Sequence, residues 1–474
     1  MGARQPLATR WTRVAVSWLP FADAASEGLP LARLLRLSLF QVSVGMAFVL
    51  LNGTLNRVMI VELGVPTWLV ALLISLPLLF APFRALIGHR SDEHRSVLGW
   101  RRVPYIWLGT LLQFGGLAIM PFSLLQMSRP DTAALGTVSA LAAFLLAGAG
   151  LHTTQTAGLA LATDLAPVED RPRVVALLYV MLLVGMVASS IAIAGLLESF
   201  TPTRLIGVVQ GASALTMALN IIALWKQEAR NPALTAPARP RVPFAQEWRA
   251  VVGQQRATRL LAAVGLGAAA FSMQDALLEP FGGEILGLSV GGTTALTGLW
   301  ALGSLTGFAL AARWLADGWD AHRVAGLGAV AGMAAFLMVL FAAPFGSARL
   351  LYAGAAGIGF GAGLFLVGSM TAAMALARAG GSGLALGAWG AVQATGAGLA
   401  IALGGVARDL IGSLAVAGHL GPTLAGPATG YIAVYLVEIL LLLFTLIVLG
   451  PLVSVEERPA TAPRSRFGLS QFPS

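Results

Sequence analysis

Twelve apolar runs, each long enough to cross a bilayer as a helix, recur along the chain and leave it few ways to fold. They fall at 36–61, 67–88, 104–127, 135–163, 173–197, 204–225, 258–281, 291–314, 324–345, 348–377, 383–407 and 429–452, and about 20 residues suffice for the roughly 30 Å of hydrocarbon. Charged residues make up 11% of the sequence and hydrophobic ones 57%, against roughly 25% charged in a soluble domain. A soluble fold of this size is excluded, and the class predicted is an all-α polytopic membrane protein. With no cysteine, disulfides, thiolate nucleophiles and Cys-ligated metals are excluded.

The net charge of +9 raises nucleic acid as a partner, but the basic residues lie between apolar spans rather than on one patch, and no nucleic-acid role is predicted. They read instead as topology signals. Arg33, Arg36, Arg101, Arg102, Arg171, Arg173, Arg256, Arg259, Arg313, Arg323 and Arg378 share one side, whereas Arg57, Arg129, Arg204, Arg349 and Arg408 fall on the other. The positive-inside rule then puts both termini in the cytoplasm. No cleavable signal is expected at the N-terminus. Residues 1–35 read as a cytoplasmic or interfacial segment, with Trp11, Val14, Ala15 and Trp18 at helical spacing, either a short helix on the leaflet or an irregular anchored tail.

A polar stretch at 226–256, with Pro232, Pro237, Pro240 and Pro243 among arginines, reads as a cytoplasmic linker between six-helix halves at 36–225 and 257–452, followed by a cytoplasmic tail at 453–474. Each half repeats a punctuation after its second helix: Gly88, Asp92, Gly99, Arg101 and Arg102 in the first, Arg313, Asp317, Asp320 and Arg323 in the second. Both resemble the loop motif of the major facilitator superfamily, which implies that fold, with two pseudo-symmetric halves and the loop bracing cytoplasmic helix ends.

More specific stretches are Leu19-Pro-Phe-Ala-Asp-Ala-Ala25, Arg33 to Met46, Gly53-Thr-Leu-Asn-Arg-Val-Met59, Ala81-Pro-Phe-Arg-Ala-Leu-Ile-Gly88, Leu98-Gly-Trp-Arg-Arg-Val-Pro104, Gln113-Phe-Gly-Gly116 and Gln274-Asp-Ala-Leu-Leu-Glu-Pro-Phe-Gly-Gly283. Together they resemble the PucC/LhaA family of purple photosynthetic bacteria, over about residues 19–452 and nearest to its LhaA branch. The resemblance implies an inner (intracytoplasmic) membrane protein that assists assembly of light-harvesting complex 1, delivering or presenting bacteriochlorophyll to the antenna alpha and beta polypeptides. Partners implied with it are the reaction centre with its antenna, bacteriochlorophyll synthase, the Sec/YidC insertion machinery and membrane lipid.

Several side chains are candidates for chemistry. Asp275 and Glu279 share a face of the seventh helix, with Glu284 just beyond. Ionised carboxylates in hydrocarbon need partners, and Arg57, near the same end of the counterpart first helix, is expected to bridge to Asp275 or Glu279 and latch the halves. Proton coupling through these acids is the alternative. Arg84 suits the C-terminal turn of the second helix, within reach of Asp92 or lipid phosphate. His152 and Gln155 on the fourth helix suit axial ligation of a chlorin magnesium, or an ordinary interhelical hydrogen bond. Glu438, mid-span in the last helix, needs a partner. The glycines of the tenth and eleventh helices suit close packing, or a groove for a macrocycle.

Neither paired Asp-rich diphosphate motifs, a P-loop nor a G-x-S-x-G elbow is evident, so no enzyme is expected and no metal site is predicted. The expected role is an assembly factor. Its rival is a secondary transporter of a pigment or small solute coupled through Asp275 and Glu279, which differs in requiring the halves to rock.

Overall fold

The computed structural model describes residues 29–79, 87, 91, 100–167, 171–228, 255–376 and 382–453. Residues 1–28 of the N-terminal segment, most of the linker, residues 454–474 of the tail, Arg84, Gly88, Asp92 and Gly99 lie outside them.

Eleven described helices are long and apolar enough to cross a membrane, and a shorter apolar helix accompanies them. In chain order they are α1 (Leu31–Glu62), the shorter α2 (Thr67–Leu79), α3 (Val103–Met127), α4 (Ala133–Leu165), α5 (Arg171–Leu196) and α6 (Pro202–Leu224). In the second half, α7 comprises Gln255–Ser272, Met273–Ala276 and Leu278–Glu284. It is followed by α8 (Val290–Ala316), α9 (Ala321–Ala342), α10 (Ala348–Leu376), α11 (Ser382–Val416) and α12 (Thr429–Leu449). No strand occurs among the described residues. This is the predicted all-α membrane architecture.

Two boundaries differ from the sequence reading. α1 begins at Leu31, directly after Pro30, because Arg33 and Arg36 are held at that end by the Gln227 side chain and the Gln227 and Trp225 carbonyls. α11 continues past Arg408 and Asp409 to Val416, since those charges find partners inside the bundle rather than ending the span.

One core lies around Leu55, Met59, Ile74, Met120 and Phe144 and takes in Val290, Ala301 and Ile401 of the second half; the other lies around Phe271, Phe281, Phe336 and Tyr435. Close backbone approach explains the glycines of α10. A Cβ at Gly359 would sit 1.9 Å from the Trp300 carbonyl oxygen of α8, and one at Gly361 2.6 Å from the Gly328 carbonyl oxygen of α9. On α10 those glycines are filled by neighbouring helices, so the packing alternative holds there. The halves meet where α5 lies on α8 and α2 on α11.

Candidate functional site

Where α1 faces α7, neither is a regular helix. α1 widens into π-helical turns at Val49–Thr54 and Val58–Glu62, and α7 tightens into a 3₁₀ turn at Met273–Ala276. Turns of both kinds interrupt the regular ladder and often mark functional positions. In a membrane such backbone persists where it is buried in protein or lines a cavity. Here it carries Asn52, Gln274 and Asp275, with Asn56 in the short α-helical stretch Leu55–Arg57 between the two π-helical turns.

Asn56, fully buried, crosses between the halves: its Nδ2 donates to Glu279 Oε2 at 3.1 Å and to the Asp275 carbonyl at 3.0 Å. Thr297 Oγ1 of α8 donates to the other oxygen, Glu279 Oε1, at 2.6 Å. Gln274 Nε2 donates to Asp275 Oδ1 at 2.5 Å. The acids expected from their spacing therefore do converge on the half interface, but the predicted Arg57 bridge to them is not formed. Arg57 instead ion-pairs with Glu62 five residues on and donates through Nη2 to the Leu288 carbonyl at 3.2 Å. One residue along a helix turns the side chain by about 100°, so Asn56 takes the face assigned to its neighbour. Glu284 pairs with Arg408 and accepts from the Tyr431 hydroxyl at 2.8 Å, and the Arg408 guanidinium lies 4.5 Å from the Tyr431 ring centroid.

Further bonds join the halves. Thr54 and Thr294 hydroxyls are 3.2 Å apart, Ser190 Oγ donates to the Thr294 carbonyl at 2.6 Å, and the Trp68 amide donates to Asp409 Oδ2 at 2.7 Å. Among the described residues, the side-chain hydrogen bonds between halves all lie toward the bundle end that carries Gly64. Beside Asn52 and Asp275 is a cavity of about 20 Å³, lined also by Phe48, Gln274, Glu279, Thr297 and Trp300, which holds roughly one water.

At the opposite end the N-terminus of α3 is closed by a carboxylate. Glu228, just past α6, accepts from the amides of Arg101, Arg102 and Val103 at 2.7, 3.1 and 2.8 Å, and a negative charge suits that end of a helix. Asp164, at the end of α4, accepts from Arg101 and Arg102 at 2.5 and 2.9 Å, and Arg102 reaches Ser91 at 2.5 Å. These arginines brace helix ends in the structure. Their described acidic partners, Asp164 and Glu228, were not foreseen because they are distant in sequence.

His152 and Gln155 share the α4 face that carries Gly148, where a Cβ would lie 2.3 Å from the Pro77 ring of α2; Gln155 is buried and His152 partly so. An imidazole and an amide are chemically suited to a chlorin magnesium. α2 packs closely on α4 at Gly148, and the cavity beside Asn52 is of water size.

The family model described as PUCC protein matches residues 54–457. The chain belongs to the PucC family. Within it, the chain is 57% identical over 411 residues to Protein PucC of Rhodovulum sulfidophilum, covering 85% of this chain and 90% of that one. It is 56% identical over 468 residues to a Rhodobacter capsulatus protein described as uncharacterized and encoded in the puhA-bchM intergenic region, covering 97% and 98%. Among solved structures, a bacterial homolog of the human lysosomal transporter Spinster, inward-facing and unoccupied, superposes with a TM-score of 0.65 at 14% identity over 88% of this chain and 95% of that one. The fold is that of a major facilitator superfamily transporter.

Proposed function

We propose that this PucC family member is a non-enzymatic assembly factor for light-harvesting complex 1. It brings bacteriochlorophyll and the antenna alpha and beta polypeptides together in the inner membrane, with both termini and the arginine-rich end on the cytoplasmic side. The observation that carries this reading is PucC membership across residues 54–457 combined with a bundle whose centre, at the described cavity, holds about one water. A pigment handled by such a protein stays at its lipid-facing surface. Arg33, Arg36, Arg101 and Arg102 then do structural work on that side, and the reaction centre, bacteriochlorophyll synthase and the Sec/YidC machinery are the partners that would meet it there.

The halves need not rock for this task, whereas a transporter must alternate between two openings. Thr54 on α1 and Thr294 on α8 are placed for a cross-link, and the chain has no other cysteine. A Thr54→Cys, Thr294→Cys protein, oxidised in membranes, is expected to support antenna assembly in an in vitro insertion assay as well as its reduced form. Loss of assembly on oxidation, restored by reductant, would favour the transporter reading.

A further inference from the structure

Where α1 begins and α6 ends, the chain's single lysine sits in a left-handed backbone turn. Among the described residues, Lys226, with φ of 54°, is the one non-glycine at positive φ, and all the other basic residues of the 30 are arginines. The left-handed position that closes a helix usually goes to glycine, because a Cβ is disfavoured there. Two arginines of α1 hold the turn. Arg33 Nη2 donates to the Gln227 carbonyl at 2.6 Å, Gln227 Nε2 donates back to the Arg33 carbonyl at 3.2 Å, and Arg36 Nη2 donates to the Trp225 carbonyl at 3.0 Å. These bonds occupy carbonyls at the negative end of the α6 dipole. Lys226 is exposed, and among the described residues neither it nor Arg36 has an acidic partner. The acid nearest in sequence, Glu228, is turned to the amides that start α3.

An apolar stripe leads up to this cation. On α6 the exposed residues Leu215, Ala218, Ile222 and Trp225 are spaced by three, four and three, which places them on one helix face, and Leu35 is exposed on α1 beside Arg36. A tryptophan at the end of a span marks the level of the lipid headgroups. The ammonium next to it therefore stands at headgroup depth, with the stripe alongside the acyl chains. α1 starts within a turn of the same cations, and the amides at a helix start also attract anions. Basic groups between helix ends in the interface suit an acidic headgroup.

We propose that Lys226 and Arg36, flanked by Trp225, form a headgroup site for an anionic phospholipid whose chains lie along the exposed face of α6. The cations supply the recognition of phosphate, and the continuous apolar stripe commits the site to a lipid rather than to free phosphate. The site follows from α6 spanning the membrane, and it stands whichever side this end faces and whether or not the protein assists antenna assembly.

The test uses the purified full-length protein in nanodiscs of phosphatidylcholine, alone or mixed with phosphatidylglycerol. Reductive ¹³C-methylation labels Lys226 and the N-terminal amine, and the Lys226 signal is the one absent from Lys226→Gly. That signal should shift as phosphatidylglycerol is added and then saturate. In an Arg259→Lys protein the new lysine reports the general charge of the surface at the same bundle end, since Arg259 is exposed there, and its signal should move less. Native mass spectrometry should find phosphatidylglycerol retained by the unmodified protein and lost from Lys226→Gly, a change that suits the left-handed turn and so keeps the fold. No shift with phosphatidylglycerol, an equal shift at both lysines, the same shift from inorganic phosphate in phosphatidylcholine alone, or unchanged retention in Lys226→Gly overturns the proposal.

Discussion

At the scale of single residues, the charges near the Gly64 end are sorted by local geometry more than by depth. Arg57 and Glu279 lie on counterpart helices at similar height, yet Arg57 pairs with Glu62 and Asn56 reaches Glu279. A double-mutant cycle separates the two pairings: Arg57→Glu with Glu62→Arg should recover part of the stability lost in either single reversal, with a coupling of about 0.5–3 kcal/mol. Arg57→Glu with Glu279→Arg should recover none, as read from thermal melting in detergent; recovery there would reinstate the direct latch. Asn56→Ala should destabilise by about 1–3 kcal/mol, because the buried Glu279 carboxyl loses a donor. The acids were legible because a four-residue spacing fixes a shared helix face and an apolar span makes any carboxylate conspicuous. Asn56 and Thr297 were not, since a neutral side chain inside a span carries no comparable cost and the π-helical turns of α1 shift the face each residue presents.

Among elements, the termini of helices are held by residues remote in sequence. The amides at the start of α3 depend on Glu228, which stands where the chain leaves α6. Glu228→Gln should cost about 0.5–2 kcal/mol, the usual range for loss of a cap, seen as a lower melting temperature; an unchanged value would assign the capping to water. α8 and α10 touch backbone to backbone at Gly359, so Gly359→Ala should destabilise by about 1–3 kcal/mol through overpacking, whereas Ala at Gly207, which has open space around it, should be nearly neutral. Hydropathy located these helices to within a few residues. It erred at Leu31 and Val416, where arginines read as boundary markers are satisfied by carbonyls and acids within the bundle.

For the whole molecule, the major facilitator fold and PucC membership are established, while fold alone does not choose between transport and assembly. The specific stretches around Gly53–Met59 and Gln274–Gly283 made the family legible, and they are the same stretches that build the interface between halves. What they do for the cell is tested most directly by membrane absorption in a strain lacking this chain, measured beside total bacteriochlorophyll and antenna transcript. The account predicts that the light-harvesting complex 1 band falls while pigment and transcript persist; if His152→Ala restores the band on complementation, the ligand role of His152 fails while the assembly role stands. A normal antenna band in the deletion strain would contradict the assembly role, and accumulation of an untailed pigment precursor would point instead to a part in pigment synthesis.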